Sequence, residues 1–268
     1  MRARSEACFI SVYLCALVVA SFGLRSGWRF RFNCLMSNPI LVALDLPTPE
    51  AAVKLARTLA PVVGGFKIGS ELFTSGGPDI VREIRSFGGS VFLDLKFHDI
   101  PNTVSKAVAS AVRLDVQMLT IHTAGGLDMM RAAQQSAEQT ALQSGRNVPL
   151  VLGVTVLTSM DSTMLAEVGC ESTVAKQVER LALLAMQAGL RGLVCSPLEI
   201  AVLRQILPAN VQLVTPGIRG GTDKADDQKR TLTAKEAIAA GANWLVVGRP
   251  IYQAADPRAA AEGVLASL

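Results

Sequence analysis

Histidine is almost missing from this chain, and its cysteines lack the spacing that chemistry usually asks of them. The 268 residues contain two histidines, His98 and His122, and five cysteines, Cys8, Cys15, Cys34, Cys170 and Cys195. Three of the cysteines fall in the first 35 residues, and no Cys-x-x-Cys pair occurs. That excludes a disulfide framework, suits a reducing compartment, and leaves no zinc or iron site that familiar ligand spacings would assemble. Charge is scarce too, at 18% of residues against 50% hydrophobic. The formal net charge of +4 is concentrated in the first 35 residues, where Arg2, Arg4, Arg25, Arg29 and Arg31 against Glu6 give five minus one. The remainder is neutral overall and has no electrostatic footprint for nucleic acid.

The opening residues stand apart from the rest. Cys8 to Leu24, CFISVYLCALVVASFGL, is an uninterrupted apolar and small-residue run preceded by two arginines, and no clean small-residue cleavage site follows it. A signal-like segment or membrane anchor is one reading. The other is upstream sequence read through from an early start codon, because Met36 stands just before SNPILVALD, where the folded pattern begins. The second is the expectation, and residues 1–35 are set aside from a catalytic domain placed at 36–268.

From residue 39 onward, short apolar runs alternate with longer amphipathic stretches. The strands expected are ILVALD (40–45), GFKIG (65–69), SVFLDLK (90–96), QMLTIH (117–122), PLVLGVTV (149–156), GLVCS (192–196), VQLVTP (211–216) and NWLVVG (243–248). Between them, segments such as PDIVREIRSF, NTVSKAVASAVRL and LEIAVLRQIL carry apolar residues at three- and four-residue spacing. Eight continuous apolar strands, each followed by a helix, predict an α/β fold of the (β/α)8 TIM-barrel type in one domain. A doubly wound open sheet is the alternative, but LDLPTPE follows the first strand where that fold would carry a glycine fingerprint. No linker, low-complexity tract or second domain interrupts the pattern.

In such a barrel the polar residues at the C-terminal strand ends face the active site. Asp45 ends the first strand, Lys67 lies in the second, and the third carries Asp94 and Lys96. Side chains alternate faces along a strand, so Asp94 and Lys96 point one way while Leu93, Leu95 and Phe97 point the other. If the leucines pack on helices, the charged pair enters the barrel. Asp99 lies just past the strand end, and Pro101 suits the first turn of a helix with Ile100 extended before it. A salt-bridge network without chemistry would satisfy these charges, yet apolar residues would serve stability better there. The long glycine-bearing loop PGIRGGTDKADDQKR and the Gly248-Arg249 pair fall after strands seven and eight, where barrels often hold phosphate, and arginine offers a forked pair of donors to it. Thr158 and Ser159 follow strand five as ligand contacts or as caps of the next helix. His98 and His122 are read as non-catalytic.

Together these residues resemble the orotidine 5′-phosphate decarboxylase family in its bacterial form. FLDLKFHDIPNT is similar to that family's Asp-x-Lys-x-x-Asp signature, and VALD, FKIG, VTVLTSM, LVTPGIR and VVGRPI follow in order, so that the likeness spans about residues 39 to 267. The resemblance implies a barrel of the ribulose-phosphate-binding type and a cytoplasmic lyase of pyrimidine biosynthesis. It implies the last step of UMP formation, loss of CO2 from orotidine 5′-phosphate, with neither metal nor organic cofactor. It further implies Lys96 as proton donor to C6, Asp94 facing the substrate carboxylate, and Asp99 reaching a partner's site in a homodimer with shared sites. By the same likeness Asp45 and Lys67 hold the ribose, with Lys67 also in the charge network. Thr103 assists from the partner, Thr158 and Ser159 meet the pyrimidine, and Arg219, Gln228, Gly248 and Arg249 grip the phosphate. No nucleic-acid partner is implied, and no membrane for the catalytic domain. Two rival readings remain. One is a magnesium-dependent barrel of the hexulose-phosphate synthase or ketogulonate-phosphate decarboxylase kind, which carries a glutamate where this chain has Lys67. The other is a barrel that only senses uridine monophosphate.

Overall fold

A computed structural model describes residues 38–170, 173–219 and 231–268. The segment 1–35, with its division from the rest, lies outside the described residues. Eight parallel strands close on themselves in sequence order, with β1 hydrogen-bonded to both β2 and β8. The strands are β1 (Ile40–Ala43), β2 (Gly65–Gly69), β3 (Val91–Phe97), β4 (Met118–His122), β5 (Leu150–Val154), β6 (Gly192–Val194), β7 (Gln212–Thr215) and β8 (Trp244–Val247). All eight coincide with the expected runs to within a few residues. The barrel, rather than the open sheet, is therefore the architecture.

The helices between them are α1 (Pro49–Leu59), α2 (Ser70–Ser86), α3 (Pro101–Arg113), α4 (Gly126–Ser144), α5 (Ser162–Glu167), α6 (Val174–Gln187), α7 (Ile200–Ile206), α8 (Ala234–Ala240), α9 (Arg249–Tyr252) and α10 (Pro257–Ala266). Local chemistry sets their ends. Thr48 caps α1 by accepting from the Ala51 N–H, and Pro49 fills its first turn. Pro101 opens α3 after an extended Ile100, as its missing N–H allows. Helix α2 begins eight residues before the expected PDIVREIRSF and bends at Gly77, whose φ of 58° precedes Pro78.

Two apolar layers account for strand parity. Ile40, Val42, Phe66, Ile68, Val91 and Leu93 face outward into the large core shared with the helices, which Leu95 and Phe97 also join. The opposite parity fills the barrel: Leu41, Ala43, Phe92, Met118, Leu152, Val214 and Val246 form a separate buried plug. Further along the same inward rows toward the C-terminal ends, β2 offers Lys67 and β3 offers Asp94 and then Lys96. The apolar plug thus forms the floor on which the charged layer stands.

The opposite end of the barrel is held by structural charges. The Arg204 guanidinium donates to the carbonyls of Gly241 (2.9 and 2.8 Å) and Val211 (2.8 Å) and to Asn243 Oδ1, which also accepts the Leu213 N–H. Asp115 receives Arg85 at 2.6 Å and Arg146 at 3.3 Å. Charges at that end stabilise loops and lie away from the face where barrel enzymes work.

Candidate active site

The C-terminal ends of the strands surround a cavity of about 230 Å³. Asp45, Lys67, Asp94, Lys96, Thr158, Arg219, Gly248 and Arg249 all line it, alongside apolar residues such as Phe92, Val154 and Val246. These eight expected positions come from or follow six different strands, and the closed barrel brings them to one space.

Four of them form a chain of alternating charge. Lys67 Nζ lies 2.9 Å from Asp45 Oδ1 and 4.0 Å from Asp94 Oδ2, and Lys96 Nζ lies 2.9 Å from each Asp94 oxygen. Asp94 is therefore flanked by two ammonium groups. Its side chain and that of Lys67 are each 13% exposed, whereas Lys96 is 36% exposed. Pairing of this kind is what burial demands, since an isolated ion there would cost several kcal/mol. The close approach depends on Gly69: a Cβ at that position would stand 3.1 Å from Lys67 Nζ and 3.5 Å from Asp45 Oδ1.

The third strand is irregular at the point where it delivers its lysine. The β3–β4 register runs Phe92↔Met118 and Leu93↔Leu119, then resumes at Phe97↔Ile121, so residues 94 to 96 stand opposite Thr120 alone. Lys96 has a φ of 49°, a left-handed conformation that costs a non-glycine residue about 1–2 kcal/mol. Bulges of this sort re-aim side chains near active sites. The Lys96 N–H, without a ladder partner, donates to Thr120 Oγ1 at 2.9 Å, and the Thr120 hydroxyl donates in turn to Asp94 Oδ1 at 2.9 Å. Thr120 was not singled out from the sequence. The signal was a hydroxyl at an inward position of the apolar run QMLTIH; nothing in the residue types announced the bulge itself.

The remaining expected residues sit in distinct places. Ser159 follows Thr158 but is exposed and outside the cavity lining. Neither residue caps α5: Asp161 does, accepting from the N–H groups of Thr163 and Met164. Asp99 and Thr103 are exposed at the start of α3, outside the cavity of their own chain. Asp99 Oδ1 accepts from the Ile100 N–H at 2.6 Å. Gln228 lies outside the described residues. At the base of its loop, Ile218 bridges Leu232, and the Arg219 N–H donates to the Leu232 carbonyl at 3.0 Å. Arg249 opens α9 directly after β8, with Gly248 before it.

The two histidines pack on each other beside the charged chain, with ring centroids 5.3 Å apart and a tilt of 40°. Burial pushes the His122 imidazole below its ordinary pKa, and the neighbouring His98 and Lys96 charges push the same way against a smaller pull from Asp94. Cys195 reaches the cavity wall but is buried, and desolvation with the nearby Glu199 charge raises its thiol to about 12. A thiol so protonated is a poor nucleophile. Among the described residues, no group of three or more His, Cys, Asp or Glu side chains is arranged to hold a metal ion, and no helix is long and apolar enough to cross a membrane.

Comparison with known proteins gives a consistent match. Residues 38–264 fit the family model described as "Orotidine 5'-phosphate decarboxylase / HUMPS family". A relative from Opitutus terrae named orotidine 5′-phosphate decarboxylase is 53% identical over 233 residues, covering 87% of this chain and 99% of its own. One of the same name from Pseudomonas fluorescens is 51% identical over 231 residues, covering 86% and 97%. Among solved structures, orotidine 5′-phosphate decarboxylase from Lactobacillus acidophilus is similar with a TM-score of 0.77 at 37% identity, covering 86% of this chain and 98% of that one.

Proposed function

The chain belongs to the orotidine 5′-phosphate decarboxylase / HUMPS family, and on that footing we propose that its barrel, residues 36–268, converts orotidine 5′-phosphate to UMP and CO2, the last step of pyrimidine nucleotide synthesis. The observation that carries this reading is the Asp45–Lys67–Asp94–Lys96 chain, with contacts of 2.9, 4.0 and 2.9 Å at the rim of one cavity.

Loss of the C6 carboxylate leaves an electron pair at C6 that the pyrimidine ring delocalises poorly. Catalysis therefore has to favour negative charge at C6 more in the transition state than in the bound substrate. Lys96 supplies a fixed ammonium for this purpose and then delivers its proton to C6, so the C6–carboxylate bond breaks as a C6–H bond forms. Asp94 faces the departing carboxylate. Two like charges about 4 Å apart repel by about 4 kcal/mol at an effective dielectric near 20, and that repulsion disappears as neutral CO2 leaves. Asp94 also orients Lys96, which both of its oxygens hold.

Asp45 and Lys67 bind the ribose hydroxyls, and Thr158 meets the pyrimidine from the cavity wall, whereas Ser159 lies exposed outside the lining. Arg219, Gln228, Gly248 and Arg249 hold the phosphate, whose binding energy, remote from C6, favours a closed and water-poor site. Asp99 and Thr103, exposed on their own chain, complete the site of a second copy in a cytoplasmic homodimer. Lys67 also separates this reading from the magnesium-dependent one: its ammonium lies between Asp45 and Asp94, where it repels a divalent cation. No metal or organic cofactor is assigned.

The purified chain incubated with orotidine 5′-phosphate in excess chelator should deplete the orotate absorbance and release UMP. No turnover would overturn the reading, and turnover restored only by magnesium would favour the rival. Lys96→Ala should fold, bind UMP and lose nearly all kcat; retention of most activity would remove Lys96 from the proton-donor role.

A further inference from the structure

Thr120 takes part in none of the roles just described, yet it touches both halves of the central ion pair. It is fully buried, at 0% exposure, and does not line the cavity. Its hydroxyl stands where β4 offers one residue to three of β3. One hydroxyl has a single hydrogen to give. Because Thr120 Oγ1 accepts the Lys96 N–H, that hydrogen remains for Asp94 Oδ1, and both contacts measure 2.9 Å. The direction of each bond is fixed by what the other groups can do: a backbone N–H only donates and an ionised carboxylate only accepts.

Two consequences follow. The Lys96 amide has lost its strand partner, and a buried N–H without an acceptor is rare in folded proteins. Thr120 supplies that acceptor to Lys96 in its left-handed backbone of φ 49°, with the Lys96 side chain at Asp94. The second bond anchors one Asp94 oxygen from a residue outside the cavity lining, while Lys96 Nζ approaches both oxygens at 2.9 Å. Asp94 rotation would break the hydroxyl bond.

We infer that Thr120 is a positioning residue for the decarboxylation, locking the Lys96 backbone and the Asp94 carboxylate in register so that ammonium and carboxylate reach the substrate at fixed spacing. Its effect passes through the Lys96 backbone and the Asp94 side chain. The kinetic side of this inference rests on the proposed function; the conformational side does not.

The test compares Thr120→Val, which keeps the shape and removes both bonds, with Thr120→Ser, which keeps the hydroxyl. In the Val variant, kcat should fall by about 10- to 100-fold, as misplacement of reacting groups by an ångström does, while KM stays within about threefold. Thr120→Ser should restore most of the lost kcat. A merely structural threonine would lower thermal stability in the Val variant and leave kcat of the folded protein near wild type, and that result overturns the inference. If Val does not fold, Thr120→Ala takes its place with the same criteria. Crystal structures of the wild type and the Val variant decide the matter without turnover. Lys96 should leave positive φ in the variant, or Asp94 should rotate away from it. An unchanged Lys96–Asp94 geometry overturns the inference, whereas a wild type that leaves orotidine 5′-phosphate intact refutes the proposed function alone.

Discussion

Replacing Asp94 by asparagine removes one charge from the centre of the site and nearly nothing from its volume. The carboxylate sits 2.9 Å from Lys96 Nζ and 4.0 Å from Lys67 Nζ. At an effective dielectric near 20 those separations correspond to attractions of about 6 and about 4 kcal/mol. Lys96 is a third exposed, so solvent screening reduces the first figure to about half or less. In Asp94→Asn the two ammoniums face each other with Asp45 alone to offset them, and Lys96 loses the bidentate hold that fixes its position. A loss of about 3 kcal/mol of positioning corresponds to a fall of about 10² in kcat/KM. Binding should respond in the opposite sense. Without the anion facing it, the substrate carboxylate is repelled less, so affinity for orotidine 5′-phosphate should improve relative to UMP by about tenfold if about 1.4 kcal/mol of the repulsion survives screening. Spectrophotometric turnover and calorimetric titration with each nucleotide measure the two quantities. A variant with kcat/KM within threefold of wild type, or with an unchanged ratio of the two affinities, would refute this account of Asp94.

Two further predictions concern assembly and stability. On the proposed homodimer with shared sites, the Lys96→Ala and Asp99→Ala variants should each be nearly inactive, and mixing them under conditions that exchange subunits should recover about a quarter of wild-type activity. Half of the dimers are then mixed and each holds one intact site; absence of recovery would refute sharing of Asp99 between subunits. Arg204→Ala, which strips the clamp on Gly241, Val211 and Asn243, should lower stability by about 2–4 kcal/mol with kcat unchanged, measured by urea unfolding beside the turnover assay. A loss of activity in the fully folded variant would show that this end of the barrel is not independent of the site.

The barrel was legible because each inner strand is an apolar run bounded by turn residues, and eight of them leave few closed arrangements. Strand parity also carried through at the site: Asp94 and Lys96 share one face while Leu93, Leu95 and Phe97 join the outer core. That success is partly fortuitous, because parity assumes a regular strand and β3 is bulged between those very residues. Lysine has no marked preference for positive φ, so the bulge left no trace in residue type. It becomes visible only when the register against β4 is known. For the same reason Thr120 escaped attention, since a lone hydroxyl in an apolar strand reads as filler until its two partners are in place. Helix α2 was begun too late because Gly76, Gly77 and Pro78 look like a boundary, whereas the chain bends there and continues. Gly248 and Arg249 were legible from their position after strand eight and Arg219 only from the family resemblance, and the barrel brings both arginines to the same mouth.

The plug of Leu41, Phe92, Met118, Leu152, Val214 and Val246 has a bearing on traffic. It stops the barrel like the closed end of a test tube, so the cavity drains on one side. On the proposed reaction, orotidine 5′-phosphate would enter, and UMP leave, past the rim that carries Arg219 and Arg249. If those arginines hold the phosphate as proposed, the same group on the nucleotide product would meet them on the way out. Among the described residues, such a doorway with a basic frame would set a trade-off: a firmer hold on the incoming phosphate would make for a slower departure, and phosphate-side variants should gain in release what they lose in capture.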